Sequence, residues 1–176
     1  YLHDEEWYRA RGVTVLRGEK VIAVDVSARE VHTAARRLGW DALVFATGST
    51  PFVPPIPGSA APHVFAFRTL DHTRAVQRIS GPAVVLGGGV LGVEAAAALA
   101  RSGDNVTLVH RGPWLMEQQL DQQAGVLLEE ALAERGVRCE LDAGIAAIDA
   151  HTVTLRNGRR VAAAREDPGV RDGAVP

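Results

Sequence analysis

The sequence predicts an α/β protein: a parallel sheet flanked by helices, preceded by a β-rich segment. Three observations carry that expectation. The apolar run Ala83 to Leu86 leads into three glycines, Gly87 to Gly89, and then into an alanine-rich stretch, Val90 to Arg101, in the order strand, tight turn, helix. Gly103 falls just past that helix, where a left-handed residue favours glycine, and a second apolar run, Asn105 to Val109, follows it. Before these, Val13 to Ala46 divides into short β-rich runs separated by turn residues.

Taken in order, "VTVLRG", "KVIAVDV", "REVHTA" and "WDALVFATG" read as strands of an antiparallel meander, divided by Gly18, "SA" and "RRLG". "STPFVPPIPGSAAPHVF" is too rich in proline for helix or central strand, because proline lacks the backbone donor. It is expected to be an ordered crossover between domains. A helix is expected over Leu70 to Ile79, stopped by Ser80-Gly81-Pro82. The helix Val90 to Arg101 is expected to bury Leu91, Ala95, Ala98 and Leu99. Asp121 is a candidate N-cap for a helix with the apolar face Ala124, Leu127, Leu128, Ala131 and Leu132, ended by Gly136. "VRCEL" would be a third parallel strand, and "GIAAIDAHTVTLRNGRRVAAA" would form strands around the hairpin turn Asn157-Gly158.

Composition narrows the function. At 176 residues, 47% of them hydrophobic, the chain can build a core. A net charge of −2 argues against a nucleic-acid binder driven by charge. The single cysteine, Cys139, excludes an internal disulfide, a CxxC zinc site and a dithiol redox centre, and is expected to be a buried strand residue. The histidines at 3, 32, 63, 72, 110 and 151 show no ligand spacing, so no metal site is expected. No apolar run approaches the roughly 18 residues of a membrane helix, and no secretory signal opens the chain. A cytoplasmic setting without membrane partners is therefore expected. Because the chain begins at Tyr1 rather than Met, it is expected to be a piece of something longer.

Gly87-x-Gly89-x-x-Gly92 sits between strand and helix, the context in which this spacing binds a dinucleotide. Gly87 permits the tight turn, Gly89 lets a pyrophosphate approach the backbone, and Gly92 lets the helix lie close to the strand. The helix start offers unpaired N–H groups and a partial positive charge to the phosphates. Gly87, Gly88, Gly89, Val90, Leu91 and Gly92 are the candidate binding residues; a glycine-rich turn selected for packing is the alternative. The second strand ends on His110-Arg111, where a carboxylate would read a ribose 2′-hydroxyl. A guanidinium there suits a 2′-phosphate, so NADPH is expected to be accepted at least as well as NADH. Arg111 is equally readable as a solvated loop residue.

"DALVFATGSTPFVPPIPG", "FRTLDH", "VVLGGGVLGVEAAAALARSGDNVTLVHR" and "LMEQQLDQQAGVLLEEALAERGV" together resemble the flavoprotein reductases that bind two dinucleotides. "WYRARGVTVLRGEKV" and "LMEQQLD" are similar to the flavin-carrying N-terminal part of the large subunit of assimilatory NAD(P)H nitrite reductases. Electron-transfer subunits of nitrate reductases share the pattern. The likeness covers about residues 7 to 164.

The resemblance implies a Rossmann-like NAD(P)-binding domain over 68–164, a β-rich part of an FAD-binding domain over 1–67, and a loose tail from Arg165 to Pro176. It implies that Glu94 lies near the nicotinamide half of NAD(P)H, although an exposed first-turn glutamate favoured by the helix dipole fits as well. Val21, Thr47 and Gly48 would bring backbone close to FAD, and Arg68 would approach the flavin side of the domain junction. Each also fits an ordinary strand, turn or surface residue. The implied chemistry is hydride transfer from NAD(P)H to FAD, then electron passage to a redox partner such as a sirohaem and iron–sulfur domain. The cofactors carry that chemistry, so no side chain is expected to be catalytic.

The departures from the family are specific. No first FAD loop precedes the meander, and "REDPGVRDGAVP" matches nothing expected after "GRRVAAA". Two alternatives stay open: a related reductase serving a ferredoxin, rubredoxin or oxygen, and a truncated chain that at most binds a nucleotide or is inert.

Overall fold

The computed structural model describes residues 3–78, 81–103 and 105–163. The chain divides into two compact units, Tyr1–Ser49 and Thr50–Pro176.

The first unit opens with a short helix, α1 (Glu5–Arg9), whose N-cap Asp4 accepts a hydrogen bond from Trp7 N–H at 2.8 Å. Three strands follow, β1 (Val21–Asp25), β2 (Glu30–Thr33) and β3 (Arg37–Gly39), paired antiparallel in the order β1-β2-β3. The meander is therefore present with different members. Residues 13–18 form no strand, and Val13 and Val15 stay exposed. Arg37–Gly39, expected as a divider, is a strand because Thr33 reverses the chain just before it. Thr33 N–H donates to the Arg36 carbonyl at 2.9 Å, and Arg36 N–H donates to Thr33 Oγ1 at 3.1 Å. That turn sets Leu38 opposite Val31. The run Trp40–Gly48 has no ladder partner among the described residues, so it remains irregular, with Val44 82% and Phe45 72% exposed.

The second unit begins with the proline-rich segment, which packs on later strands. Ile56 packs against a buried cluster of Val109, Ile145, Val153 and Leu155, and Ile148 N–H donates to the Pro57 carbonyl at 2.9 Å. The division of the compact units falls at 49/50. Helix α2 (Leu70–Arg78) leads to β4 (Ala83–Leu86), α3 (Val90–Arg101), β5 (Val106–Val109), α4 (Gln122–Ala133) and β6 (Val137–Glu140). The three strands are parallel in the order β4-β5-β6, with Ala83 opposite Val106 and Val106 opposite Val137. An antiparallel sheet of β7 (Ile145–Ile148), β8 (Thr152–Leu155) and β9 (Arg160–Ala162) completes the unit. Gly158, with φ of 84°, turns β8 into β9 as the Asn157-Gly158 pair predicts.

The central strand explains the layering. Val106 and Leu108 join the cluster containing Val93 and Ala96 of α3, Leu132 of α4 and Val137 of β6. Val109 faces the other way, into the cluster with Ile145, Val153 and Leu155. Every residue of β5 is buried, as a parallel strand covered on both faces should be. Two helix faces differ from expectation. On α3, Val93, Ala95 and Ala96 are buried, whereas Leu91 is 67% exposed. Leu91 and Leu99 instead line an open apolar groove of about 520 Å3 with Phe52, Ile56 and Val84. On α4, Gly125 and Leu132 are buried and Leu127 is 65% exposed.

Asp121 caps α4 by accepting from Ala124 N–H at 2.9 Å. Asp121→Ala is expected to cost about 1 kcal/mol of unfolding free energy, measurable by urea denaturation, since the first-turn donor loses its acceptor. No helix of the described residues is long and apolar enough to cross a membrane. The expected tail, Arg165 to Pro176, and the last residue of the expected helix, Ile79, lie outside the described residues.

Candidate functional site

The turn between β4 and α3 has the local structure its glycines predict. Gly87 has φ of 111°, a conformation that L side chains rarely adopt. At Gly92 an added Cβ would overlap the carbonyl oxygen of Gly87, so the helix can start this close to the strand only without a side chain. At Gly89 an added Cβ would meet nothing within 4 Å, so the space over this glycine is open. A diphosphate fits a turn with an open face here and a closed one at Gly92.

The donors agree with that geometry. Gly89 is the N-cap of α3 and supplies no side-chain cap. Gly87 N–H donates to the Val109 carbonyl at 2.9 Å, Gly88 N–H to His110 Nδ1 at 3.1 Å, and Val93 N–H to the Gly89 carbonyl at 3.0 Å. The N–H groups of Gly89, Val90, Leu91 and Gly92 find no acceptor among the described residues. Gly89, Val90 and Leu91 are exposed, while Gly88 is buried. Glu94 is exposed and falls one residue beyond the first turn, which holds no acidic residue.

At the end of β5 the two predicted residues part company. Arg111 is exposed. His110 is buried at 6% exposure, its Nδ1 taken by Gly88 and its Nε2 2.7 Å from Glu117 Oε2. The hydrogen bond from its own backbone N–H holds the Glu117 carboxyl below its ordinary value against partial burial, and the His110 hydrogen bond and the charge of Arg111 lower it further. Glu117 was not singled out from the sequence as a site residue, although it lies in the "LMEQQLD" stretch. Cys139, on β6, packs against the core, and burial, followed by the charges of Glu129 and Glu140, pushes its thiol up to about 11.

The residues assigned to FAD lie in both units. Val21 starts β1 at 48% exposure, and Thr47 and Gly48 are exposed, the latter with φ of 72°. Arg68, in the second unit, is exposed, and its backbone N–H donates to His72 Nδ1 at 3.3 Å. Among the described residues the first unit holds no glycine-rich strand-to-helix turn like that at Gly87–Gly92. Its three strands pair antiparallel, so they supply no diphosphate cradle of that kind.

Comparisons with known proteins agree with the turn. The chain is 36% identical over 155 residues to the assimilatory nitrate reductase electron transfer subunit of Bacillus subtilis (strain 168), covering 86% of this chain and 20% of that protein. It is 41% identical over 140 residues to the nitrite reductase [NAD(P)H] of the same organism, covering 77% of this chain and 17% of that protein. The chain thus spans about a fifth of the length of these curated relatives. Its fold matches a crystal structure of a ferredoxin reductase from Rhodopseudomonas palustris with a TM-score of 0.84, over 91% of this chain and 42% of that one, at 22% identity. The family model for pyridine nucleotide-disulphide oxidoreductase matches residues 6–165, and the chain belongs to that family.

Proposed function

We propose that this chain is part of an FAD-dependent NAD(P)H oxidoreductase of the nitrite reductase large-subunit type, and that its second unit binds the reduced nicotinamide dinucleotide. The carrying observation is the set of unpaired N–H groups at Gly89 to Gly92, set where Gly89 leaves open space for a diphosphate. Two relatives named for nitrate and nitrite reduction support the wider assignment. Residues 68–164 would be the NAD(P)-binding part and residues 1–67 part of an FAD-binding domain.

When both cofactors are bound, a hydride passes from NAD(P)H to the flavin, and electrons leave the flavin for a redox partner. The chain's own residues bind and orient. The first turn of α3 gives the diphosphate four donors and the positive end of the helix dipole. Glu94 would border the nicotinamide half, and Arg111, exposed beside the end of β5, would reach the adenosine ribose or its 2′-phosphate. Val21, Thr47, Gly48 and Arg68 would serve FAD. The redox partner would be a sirohaem and iron–sulfur domain, and the setting cytoplasmic.

Titration of the chain with NADPH and NADH, followed through its amide resonances, tests the binding assignment. Gly89 to Gly92 are expected to shift with both nucleotides; unmoved resonances at these four residues would sink it. In Arg111→Ala, NADPH affinity is expected to fall about tenfold, the size of one lost charge-assisted hydrogen bond, with NADH changing far less. A preference for NADH unaltered by this substitution would remove Arg111 from the 2′-phosphate role.

A further inference from the structure

We propose that His110 is a positioning residue: its ring, tethered by Glu117, holds the glycine turn in the shape that leaves the amides of Gly89 to Gly92 for the diphosphate. This inference rests on the dinucleotide binding proposed above. Gly88, at the middle of the turn, is held through both its polar backbone groups. Its N–H donates to His110 Nδ1 at 3.1 Å, and its carbonyl accepts from Met116 N–H at 2.8 Å. The ring lies directly against it, since a Cβ added at Gly88 would stand 2.7 Å from His110 Cγ and 2.8 Å from Leu115 Cδ2.

The protonation state follows from the bonds. A ring nitrogen that accepts from an amide carries no proton, so Nε2 carries the proton and donates to Glu117 Oε2 at 2.7 Å. The carboxylate thereby selects the tautomer that offers Nδ1 to Gly88. The backbone of His110 is anchored as well: its N–H donates to the Glu140 carbonyl at 2.8 Å, and its carbonyl accepts from Ala143 N–H at 2.9 Å. The ring thus has little freedom to move away from the turn.

Protonating Nδ1 would place a donor against the Gly88 donor and break that tie. Other charged residues stand on the segments next to it. Glu117, from the 111–120 loop, is bonded to it, and Arg111 adjoins it in the chain. At the end of β6 the Glu140 carboxylate is paired with Arg159, and Asp142 gives its backbone N–H to the Gly112 carbonyl at 3.0 Å. Among the described residues, Glu117 is the one acidic side chain within bonding distance of the His110 ring.

The test compares the parent chain with His110→Phe, which keeps a ring without an acceptor, and His110→Asn, whose side-chain oxygen can take the place of Nδ1. Two quantities are read: the Gly88 amide (hydrogen exchange and chemical shift) without nucleotide, and the NADPH dissociation constant. In the parent, Gly88 should be protected and NADPH should bind. In the Phe variant, protection should be lost and affinity should fall about tenfold, the effect of one buried donor left without a partner. The Asn variant should recover most of that loss. The proposal is overturned if the Phe variant keeps both Gly88 protection and affinity. It is also overturned if Asn does no better than Phe. A parent that binds no NADPH while Gly88 still follows the ring would refute the binding assignment and leave the brace standing. A parent that binds NADPH with Gly88 indifferent to the ring would refute the brace alone.

Discussion

Gly92→Ala is expected to weaken nicotinamide dinucleotide binding by about 100-fold, the scale on which a displacement of about 1 Å penalises a positioned group. The new methyl would occupy the place of the Gly87 carbonyl oxygen. Neither neighbour can yield cheaply. Gly87 is tied through its N–H to Val109, and α3 is packed through Val93 and Ala96 onto the β5 and β6 residues. The helix start must therefore move off the strand, taking the amides of Gly89 to Gly92 away from their common focus. Overpacking of this kind also costs about 1–3 kcal/mol of stability. Fluorescence titration with NADPH measures the first effect and urea denaturation the second. A variant that bound NADPH like the parent would show that close approach of helix and strand is not what the site needs.

Leu108→Ala should give the largest loss of stability, about 3 kcal/mol, within the range for a fully buried leucine whose cavity cannot collapse. Leu108 is 0% exposed on the central strand, with Val93, Ala96, Leu115, Leu132 and Val137 in the same cluster. These residues come from α3, the 111–120 loop, α4 and β6, so the cavity would border four segments at once. Urea denaturation of the variant against the parent measures the loss. A change below about 1 kcal/mol would mean that the layers repack around the gap, as volume-tolerant cores do.

The second unit was largely legible in the sequence because glycine and aspartate punctuate it. Strand β4 and helix α3 have the predicted bounds, Ala83–Leu86 and Val90–Arg101, since three glycines separate them and Gly103 follows. Asp121 caps α4 as expected. Local pattern failed where a distant partner decided. The run "WDALVFATG" has strand composition, yet a strand needs a neighbour to bond with, and the described residues supply none. Arg37–Gly39 has poor strand composition, yet the turn at Thr33 lays it against β2. Leu91 and Leu127 sit at helical spacing, but spacing alone does not tell which of two flanks meets the sheet.

The candidate turn at Gly87–Gly92 was legible, and the brace beneath it was not. A signal existed. Alternation along β5 sets His110 on the face of Val106 and Leu108, which points into the core. Reading His110 with Arg111 as one exposed strand tip passed over that period. Glu117 gave less warning, because its approach to His110 depends on how the 111–120 loop returns beneath Gly88, and only tertiary structure shows that.

An engineer wishing to reverse the preference between the two nicotinamide dinucleotides meets an uneven choice here. In this architecture an acidic side chain at the close of the second strand bonds the ribose 2′-hydroxyl, and an arginine nearby accommodates a 2′-phosphate. In this chain His110, which closes that strand, is bonded to the backbone of the turn, so on the proposed assignment such an exchange would disturb binding of both dinucleotides alike. Discrimination would then fall one position later, at Arg111, where the side chain is exposed.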